Sequence, residues 1–282
     1  MKRIWVIYNR IQYGINEWFA LALSDRLRQN GNDVRLIMRE YLEIPEGEEN
    51  GFKYEGKEIE PPDIAVVRII EPEFTRRLEA FGVRTVNNSR VSKICNDKKR
   101  SYLLAKKAGV PFADFFEIGR RKGLPKGVEY PLVVKTVSGH GGKEVRLCRN
   151  ENDVNEAVRA AGKEKLIAQK LVGDGKSGKD LRVYVLGGKI FKAVLRSSDN
   201  DFRSNFSLGG RAEPYTLSPE EEETVYKIVR DLKSSDLIGA DFLVTEEGLL
   251  FNEIEDVVGT RMLYAVYGID AAKVFADYIN DL

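Results

Sequence analysis

The chain has 282 residues, more than the roughly 100 to 200 of a typical single domain, so two or three subdomains sharing cores are expected. Hydrophobic residues make up 43% and charged residues 32%, with 45 basic against 44 acidic side chains, a balance that argues against a chain built to coat nucleic acid or an anionic membrane. Two cysteines, Cys95 and Cys148, and one histidine, His140, exclude a disulfide framework, a thiolate metal site and a multi-histidine zinc site. This cysteine usage fits a cytoplasmic protein.

Lys2 and Arg3 precede an apolar run over 4–8, but Asn9 and Arg10 end it before a signal-peptide core of about 7 to 15 residues can form. No stretch approaches the roughly 20 apolar residues of a membrane span. The run reads instead as a first buried strand. Further strands are expected at 34–38 and 64–70, and Phe19, Leu23 and Leu27 mark one face of a helix over 17–29. Residues 1–90 are therefore expected to form a small α/β domain with a parallel sheet, and 45–62 a surface loop or small hairpin.

Beyond Asn96 the pattern changes. A helix over 97–108 stops at Gly109 with Pro111 just beyond, and strands follow at 113–118, 130–137 and 145–148. Asn150 caps a helix over 151–161, and 165–172 is another strand. Residues 181–186 and 190–196 alternate as a hairpin around Gly187-Gly188. Ser218-Pro219-Glu220-Glu221 is a capping box with proline at the first helical position, opening a helix to Leu232. The Gly173–Lys179 segment satisfies a dinucleotide fingerprint and nearly a phosphate-binding loop, yet both need a helix at the glycines and a strand follows.

The strongest chemical signal lies in 240–255. Two apolar strands flank Glu246-Glu247-Gly248, and a three-residue turn pairs Thr245 with Leu249, which sets Asp241 opposite Glu253 with Glu255 on the same face. Like charges across a ladder are destabilising unless a cation lies between them, and oxygen-only donors suit Mg²⁺ or Mn²⁺. The alternative is a set of solvated carboxylates on an outer face. Lys135 on a strand entering the glycine-rich 138–143 turn resembles a phosphate cradle, or else a hairpin tip with a snorkelling lysine. Residues 202–211 place Arg203, Ser204 and Asn205 beside two glycines, suited to charge on a transferring phosphoryl group or to a surface loop.

In this order the motifs resemble the ATP-grasp superfamily, most closely the RimK-like carboxylate-amine ligases. The resemblance runs from Asp63–Arg68 through Asn96–Arg100, Leu103-Leu104-Ala105 and Gly109-Val110-Pro111 to the 240–255 hairpin. It implies an ATP-grasp fold of α/β (α+β) class: an N-terminal parallel-sheet domain (1–90), a small lid subdomain (91–170) and a C-terminal subdomain with the metal site (171–282), the last two sandwiching the nucleotide. It further implies that Lys98 and Lys135 contact ATP phosphates and that Gln169, Lys170, Leu171 and Val172 form the adenine hinge. Asp180 would take the ribose side, Arg203, Ser204 and Asn205 form the phosphate and substrate loop, and Asp241, Glu253 and Glu255 hold Mg²⁺ or Mn²⁺. Glu255 stands where the family usually has Asn, adding a charge suited to a second ion. Lys170 stands where the hinge is often acidic. Residues 256–261 replace the usual Ser-Pro-Gly type of turn, and Arg68, Arg182 and Arg261 are candidates for substrate carboxylates.

The activity so implied is ATP-dependent amide formation through an acyl phosphate, adding an amino acid such as glutamate to a peptide, protein or small-molecule acceptor. A dipeptide- or glutathione-synthetase-like ligase, a kinase that stops at phosphoryl transfer, and a nucleotide-binding module without turnover are the rivals. No nucleic-acid or membrane partner is implied, and a homo-oligomer is compatible with the sequence.

Overall fold

Short apolar strands alternating with one-sided helices build the N-terminal third, as seen in a computed structural model that describes residues 1–45, 51–120, 122–139, 144–175, 178–199, 201–204 and 209–282. Strands β1 (Arg3–Tyr8), β2 (Asp33–Met38), β6 (Ile64–Val67) and β7 (Arg84–Val86) form the expected parallel sheet in the order β2-β1-β6-β7. Between β2 and β6, β3 (Leu42–Glu43), β4 (Phe52–Tyr54) and β5 (Lys57–Ile59) form a small antiparallel sheet, with Glu55-Gly56 as the two-residue turn of the β4–β5 hairpin.

Helix α1 (Arg10–Gln29) starts seven residues before the apolar stripe predicts. Asn9 caps it by accepting from the Gln12 N–H, and Asn16 kinks it. Phe19, Leu23 and Leu27 are buried as expected, while Ile11, Ile15 and Trp18 ahead of them stay exposed and give no core-facing signal. Helix α2 (Pro72–Ala80) packs Phe74 and Leu78 under the same sheet, and α3 (Ser89–Cys95) leads out of the domain.

Helix α4 (Lys98–Ala108) is capped by Asp97 and ends at Gly109 in the left-handed region. Next comes a four-stranded antiparallel sheet in the order β10-β9-β11-β8, from β8 (Phe115–Ile118), β9 (Leu132–Thr136), β10 (Val145–Cys148) and β11 (Leu166–Lys170). Helix α5 (Glu151–Ala161) covers one face, burying Val154 and Ala157 against Leu132, Val134 and Ala168. Strand alternation turns Val133, Lys135 and Gln169 to the other face.

The five-stranded antiparallel sheet runs β14-β13-β12-β15-β16, from β12 (Gly178–Leu186), β13 (Lys189–Ser198), β14 (Arg211–Tyr215), β15 (Leu237–Thr245) and β16 (Gly248–Glu255). The 173–179 segment thus feeds a strand, which excludes the helix that a dinucleotide or phosphate-binding loop needs. Helix α6 (Pro219–Asp231) has the expected capping box at Ser218 and Glu221 and, with α4, covers one face of this sheet through Ile228, Val225, Tyr102 and Ala105. The opposite face supplies Tyr184, Val194 and Leu237 to a second core shared with α1, α7 (Arg261–Tyr267) and α8 (Ala271–Asn280). Helix α8 lies on α1: Ala272, Phe275 and Ile279 share this core with Phe19, Leu23 and Leu27, Arg26 pairs with Asp270 at 2.9 Å, and the Lys2 ammonium donates to the Asn280 carbonyl at 2.8 Å.

Candidate active site

A cleft opens between the four-stranded and the five-stranded antiparallel sheets. It is lined by Lys98, Lys135, Gln169, Lys170, Leu171, Val172, Asp180, Arg203, Ser204 and Glu253, ten of the predicted site residues, together with Thr136, Glu144, Leu243 and Asn252. Asn205 lies outside the described residues, as does His140. The four- and five-stranded sheets face each other across this cleft, which has lysines on one side and carboxylates on the other.

The basic wall comes from α4 and β9. Lys98 is the first residue of α4, and its main-chain N–H donates to the Val137 carbonyl at 2.9 Å, which ties the helix start to the end of β9. Its ammonium donates to the Gly139 carbonyl and lies 3.2 Å from Glu253. A Cβ at Gly139 would meet the Thr136 hydroxyl and the Glu144 carboxylate, so a side chain here would force those two groups to move. Lys135 is 6% exposed; its ammonium donates to the Tyr102 hydroxyl at 2.7 Å and to Asn252 Oδ1 at 3.0 Å. Burial lowers the Lys135 pKa to about 8, against the opposing pull of Glu253.

At the far end of β11, Gln169 accepts from the Tyr102 hydroxyl at 3.1 Å and donates to the Ala113 carbonyl at 2.6 Å. Lys170 is exposed and paired with Glu129, and the Leu171 N–H donates to the Pro131 carbonyl at 3.2 Å. Leu171 and Val172 follow β11 as irregular backbone along the cleft, so the expected strand to 172 ends at Lys170.

The acidic wall is a ladder of alternating charge across β13, β12, β15 and β16. Asp180 sits opposite Arg196, and Arg182 opposite Asp241. Arg196 donates through Nε to Asp180 at 2.7 Å and through Nη2 to Asp241 at 2.7 Å; Arg182 donates to both Asp241 oxygens at 2.7 and 2.6 Å and lies 3.0 Å from Glu255. Burial opposes ionisation of Asp241, but the two guanidiniums outweigh it and hold the carboxyl at about 2. Glu255 fares differently. Burial raises it to about 7, with Glu253 and Asp241 adding repulsion that Arg182 only partly offsets.

Two irregularities set this ladder. The β15–β16 turn has two residues, with Thr245 opposite Gly248 rather than Leu249, so the expected three-residue turn is corrected. A bulge then restores the predicted pairing of Asp241 with Glu253 and brings Asn252 and Glu253 together onto the cleft. A second bulge, at Phe191 on β13 opposite the Tyr184–Val185 step, is what brings Arg196 opposite Asp180. Sequence reasoning missed Arg196, Tyr102 and Asn252: the first needs the bulge, and the other two read as core and strand residues.

Among the described residues no group of three or more His, Cys, Asp or Glu side chains is arranged so that it could hold a metal ion. Asp241, Glu253 and Glu255 are interleaved with Arg182 and Lys98 instead. Their chemistry nevertheless suits a hard divalent cation, because the donors are all carboxylate oxygens.

Arg203 is held by Asp201, which accepts from its main-chain N–H at 2.9 Å, Nε at 3.1 Å and Nη2 at 2.7 Å. The backbone of Phe202 crosses the start of β12 so closely that no Cβ fits at Gly178, which sets Arg203 and Ser204 at the cleft edge. Asp180 accepts from the Ser204 hydroxyl. Of the three arginines expected for substrate, Arg182 belongs to the ladder, Arg261 is exposed at the start of α7, and Arg68 is buried beside Val258, whose carbonyl accepts from Nη2 at 3.0 Å. Arg68 Nε and the neighbouring Tyr8 hydroxyl are buried without a hydrogen-bond partner in the described structure.

Residues 96–279 match the RimK-like ATP-grasp domain family. The chain is 29% identical over 275 residues to a probable alpha-L-glutamate ligase of Thioalkalivibrio sulfidiphilus, covering 92% of this chain and 90% of that protein. It is 28% identical to mouse beta-citrylglutamate synthase B, covering 93% of this chain and 72% of that protein. Among solved structures, D-alanine–D-alanine ligase from Bacillus anthracis complexed with ATP superposes with a TM-score of 0.77 at 18% identity, covering 100% of this chain and 97% of that one. A RimK domain ATP-grasp protein from Sphaerobacter thermophilus gives 0.71 at 16%, covering 98% and 99%. At these identities the two structures speak for the fold alone. No helix among the described residues is long and apolar enough to cross a membrane.

Proposed function

Because the chain belongs to the RimK-like ATP-grasp family of ATP-dependent carboxylate-amine ligases, we propose that it joins an amino acid, glutamate in the first instance, to an acceptor carboxylate through an acyl phosphate. The observation that carries this reading is the presence of two buried lysines, Lys98 and Lys135, in one cleft with Glu253, whose carboxylate lies 3.2 Å from the Lys98 ammonium. The glutamate-ligase names of the relatives support the choice of amine substrate.

In this mechanism Lys98 and Lys135 orient the ATP phosphates while the 169–172 segment receives the adenine and Asp180 the ribose side. Asp241, Glu253 and Glu255 would be the residues to hold Mg²⁺, with Glu255 suited to a second ion, and the metal when bound would neutralise charge on the phosphates. Arg203 and Ser204 stand where charge spreads over the transferring phosphoryl group. An acceptor carboxylate oxygen attacks the γ-phosphorus, the bond to ADP breaks, and the amine then forms a C–N bond as phosphate leaves with the displaced oxygen. Positioning and electrostatics carry the rate, so no histidine base is required. The buried, incompletely satisfied Arg68, at the carboxyl end of β6 where the parallel sheet reverses its winding, is suited to a substrate carboxylate.

The test is ADP release with ATP, Mg²⁺, L-glutamate and a panel of carboxylate acceptors, followed by mass analysis of products. The expected result is ADP formation that needs both glutamate and acceptor, with one new amide per ADP. A phosphorylated acceptor that accumulates without any amine would replace the ligase reading by a kinase, and nucleotide binding without turnover by any acceptor would replace it by a regulatory module.

A further inference from the structure

Lys135 presents an unusual arrangement for a side chain meant to meet an anion. An ammonium carries three N–H donors. Two of those on Lys135 are already committed, one to the Tyr102 hydroxyl at 2.7 Å and one to Asn252 Oδ1 at 3.0 Å, while the residue still lines the cleft. Both acceptors are neutral. They fix direction without neutralising the charge, unlike the carboxylates that hold Arg182 and Arg196.

Neither anchor belongs to the four-stranded sheet that carries Lys135. Lys135 lies on β9 of the four-stranded sheet, whereas Tyr102 on α4 packs in the core of the five-stranded sheet, stacking on Phe112 and edge-on against Phe251. Asn252 is the bulge residue of β16, present on the cleft side because of the one-residue irregularity beside Asp241. The Tyr102 hydroxyl can accept from Lys135 only while its own proton points elsewhere, and it donates that proton to Gln169 Oε1 at 3.1 Å. Gln169 in turn donates to the Ala113 carbonyl at 2.6 Å, which fixes the orientation of its amide. The chain of donors therefore has one direction, from Lys135 through Tyr102 to Gln169.

We infer that Tyr102 and Asn252 are positioning residues for Lys135, holding its ammonium so that the third N–H points at a nucleotide phosphate and linking the phosphate-facing lysine to the adenine end of the cleft. The inference rests on the ATP-binding reading above and adds how one of its lysines is aimed.

The experiment measures equilibrium binding of ATP and of adenosine, which lacks phosphates, to the full chain and to Asn252→Ala, Tyr102→Phe and Lys135→Met, alone and combined. Asn252→Ala is expected to weaken ATP binding roughly ten- to a hundredfold, the scale of one charge-assisted hydrogen bond, and to leave adenosine binding unchanged. Unchanged adenosine binding also reports that the variant is folded. Tyr102→Phe keeps the packed ring and is expected to weaken ATP by a similar factor. In the Lys135→Met background neither change is expected to cost anything further, because the group they aim is gone. Additive losses in that background, or ATP affinity unaltered in both single variants, overturn the inference. If the unaltered chain binds no ATP, it is the ligase reading that fails.

Discussion

On the five-stranded sheet the buried arginines are matched by carboxylates, whereas the lysines across the cleft are held largely by neutral or main-chain acceptors. Arg182 and Arg196 between them meet Asp180, Asp241 and Glu255, all at hydrogen-bonding or ion-pairing distance. Lys135 meets a tyrosine hydroxyl and an amide oxygen, and Lys98 meets a carbonyl and one carboxylate. The arginine ladder is consumed by its own partners and acts as scaffold for the acids. The lysines retain charge to offer. The same formal cation thus does two jobs, and its neighbours decide which.

Breaking the ladder should cost stability first. Asp241→Asn leaves Arg182 and Arg196 buried beside a neutral amide, and a loss of about 3 to 5 kcal/mol is expected in denaturant unfolding. Removing the lysine should do the reverse: Lys135→Met is expected to unfold at nearly the same denaturant concentration as the unaltered chain while ADP formation falls by roughly a hundredfold. If Lys135→Met lost stability as Asp241→Asn does, the division of labour would be wrong.

The pH response sharpens the contrast. Glu255 titrates near 7 in the folded, metal-free protein, above its unfolded value, so folding holds its proton and stability falls as pH rises from the ordinary glutamate range to about 7. Mg²⁺ must displace that proton. Its affinity is therefore expected to climb as pH rises towards 7 and level off above it, a slope that calorimetry should find flattened in Glu255→Gln. The smallest effect belongs away from the cleft: Ser218→Ala breaks the capping box of α6 and should cost about 1 kcal/mol in unfolding with Mg²⁺ affinity unaltered.

The ladder also shows how far residue order reaches. The strands and capped helices follow from alternation, glycine stops and side-chain caps, so β12, β13, α4 and α6 are legible. Counting outward from Gly187-Gly188, however, sets Leu195 opposite Asp180, and only the bulge at Phe191 moves Arg196 there. For Asp241 and Glu253 the expected turn supplied one residue too many and the bulge at Asn252 supplies the same residue inside the strand. Bulges carry no compositional mark here, so the pairing is legible and its cause is not. Tyr102 lies on the buried face of α4, and nothing in its spacing points to a lysine 33 positions away. The exposed Ile11, Ile15 and Trp18 hide the first half of α1 for the converse reason, being apolar without facing a core.

The seat of α8 on α1 has a consequence for how the chain is made. Phe19, Leu23 and Leu27 find Ala272, Phe275 and Ile279 some 250 positions later. At about 5 to 20 residues per second of synthesis, that interval lasts on the order of ten to fifty seconds. During it the N-terminal sheet can pair its strands but cannot close this side of its core. A ribosome-bound chain stopped before residue 271 should therefore show an apolar face to chaperones that the finished protein conceals.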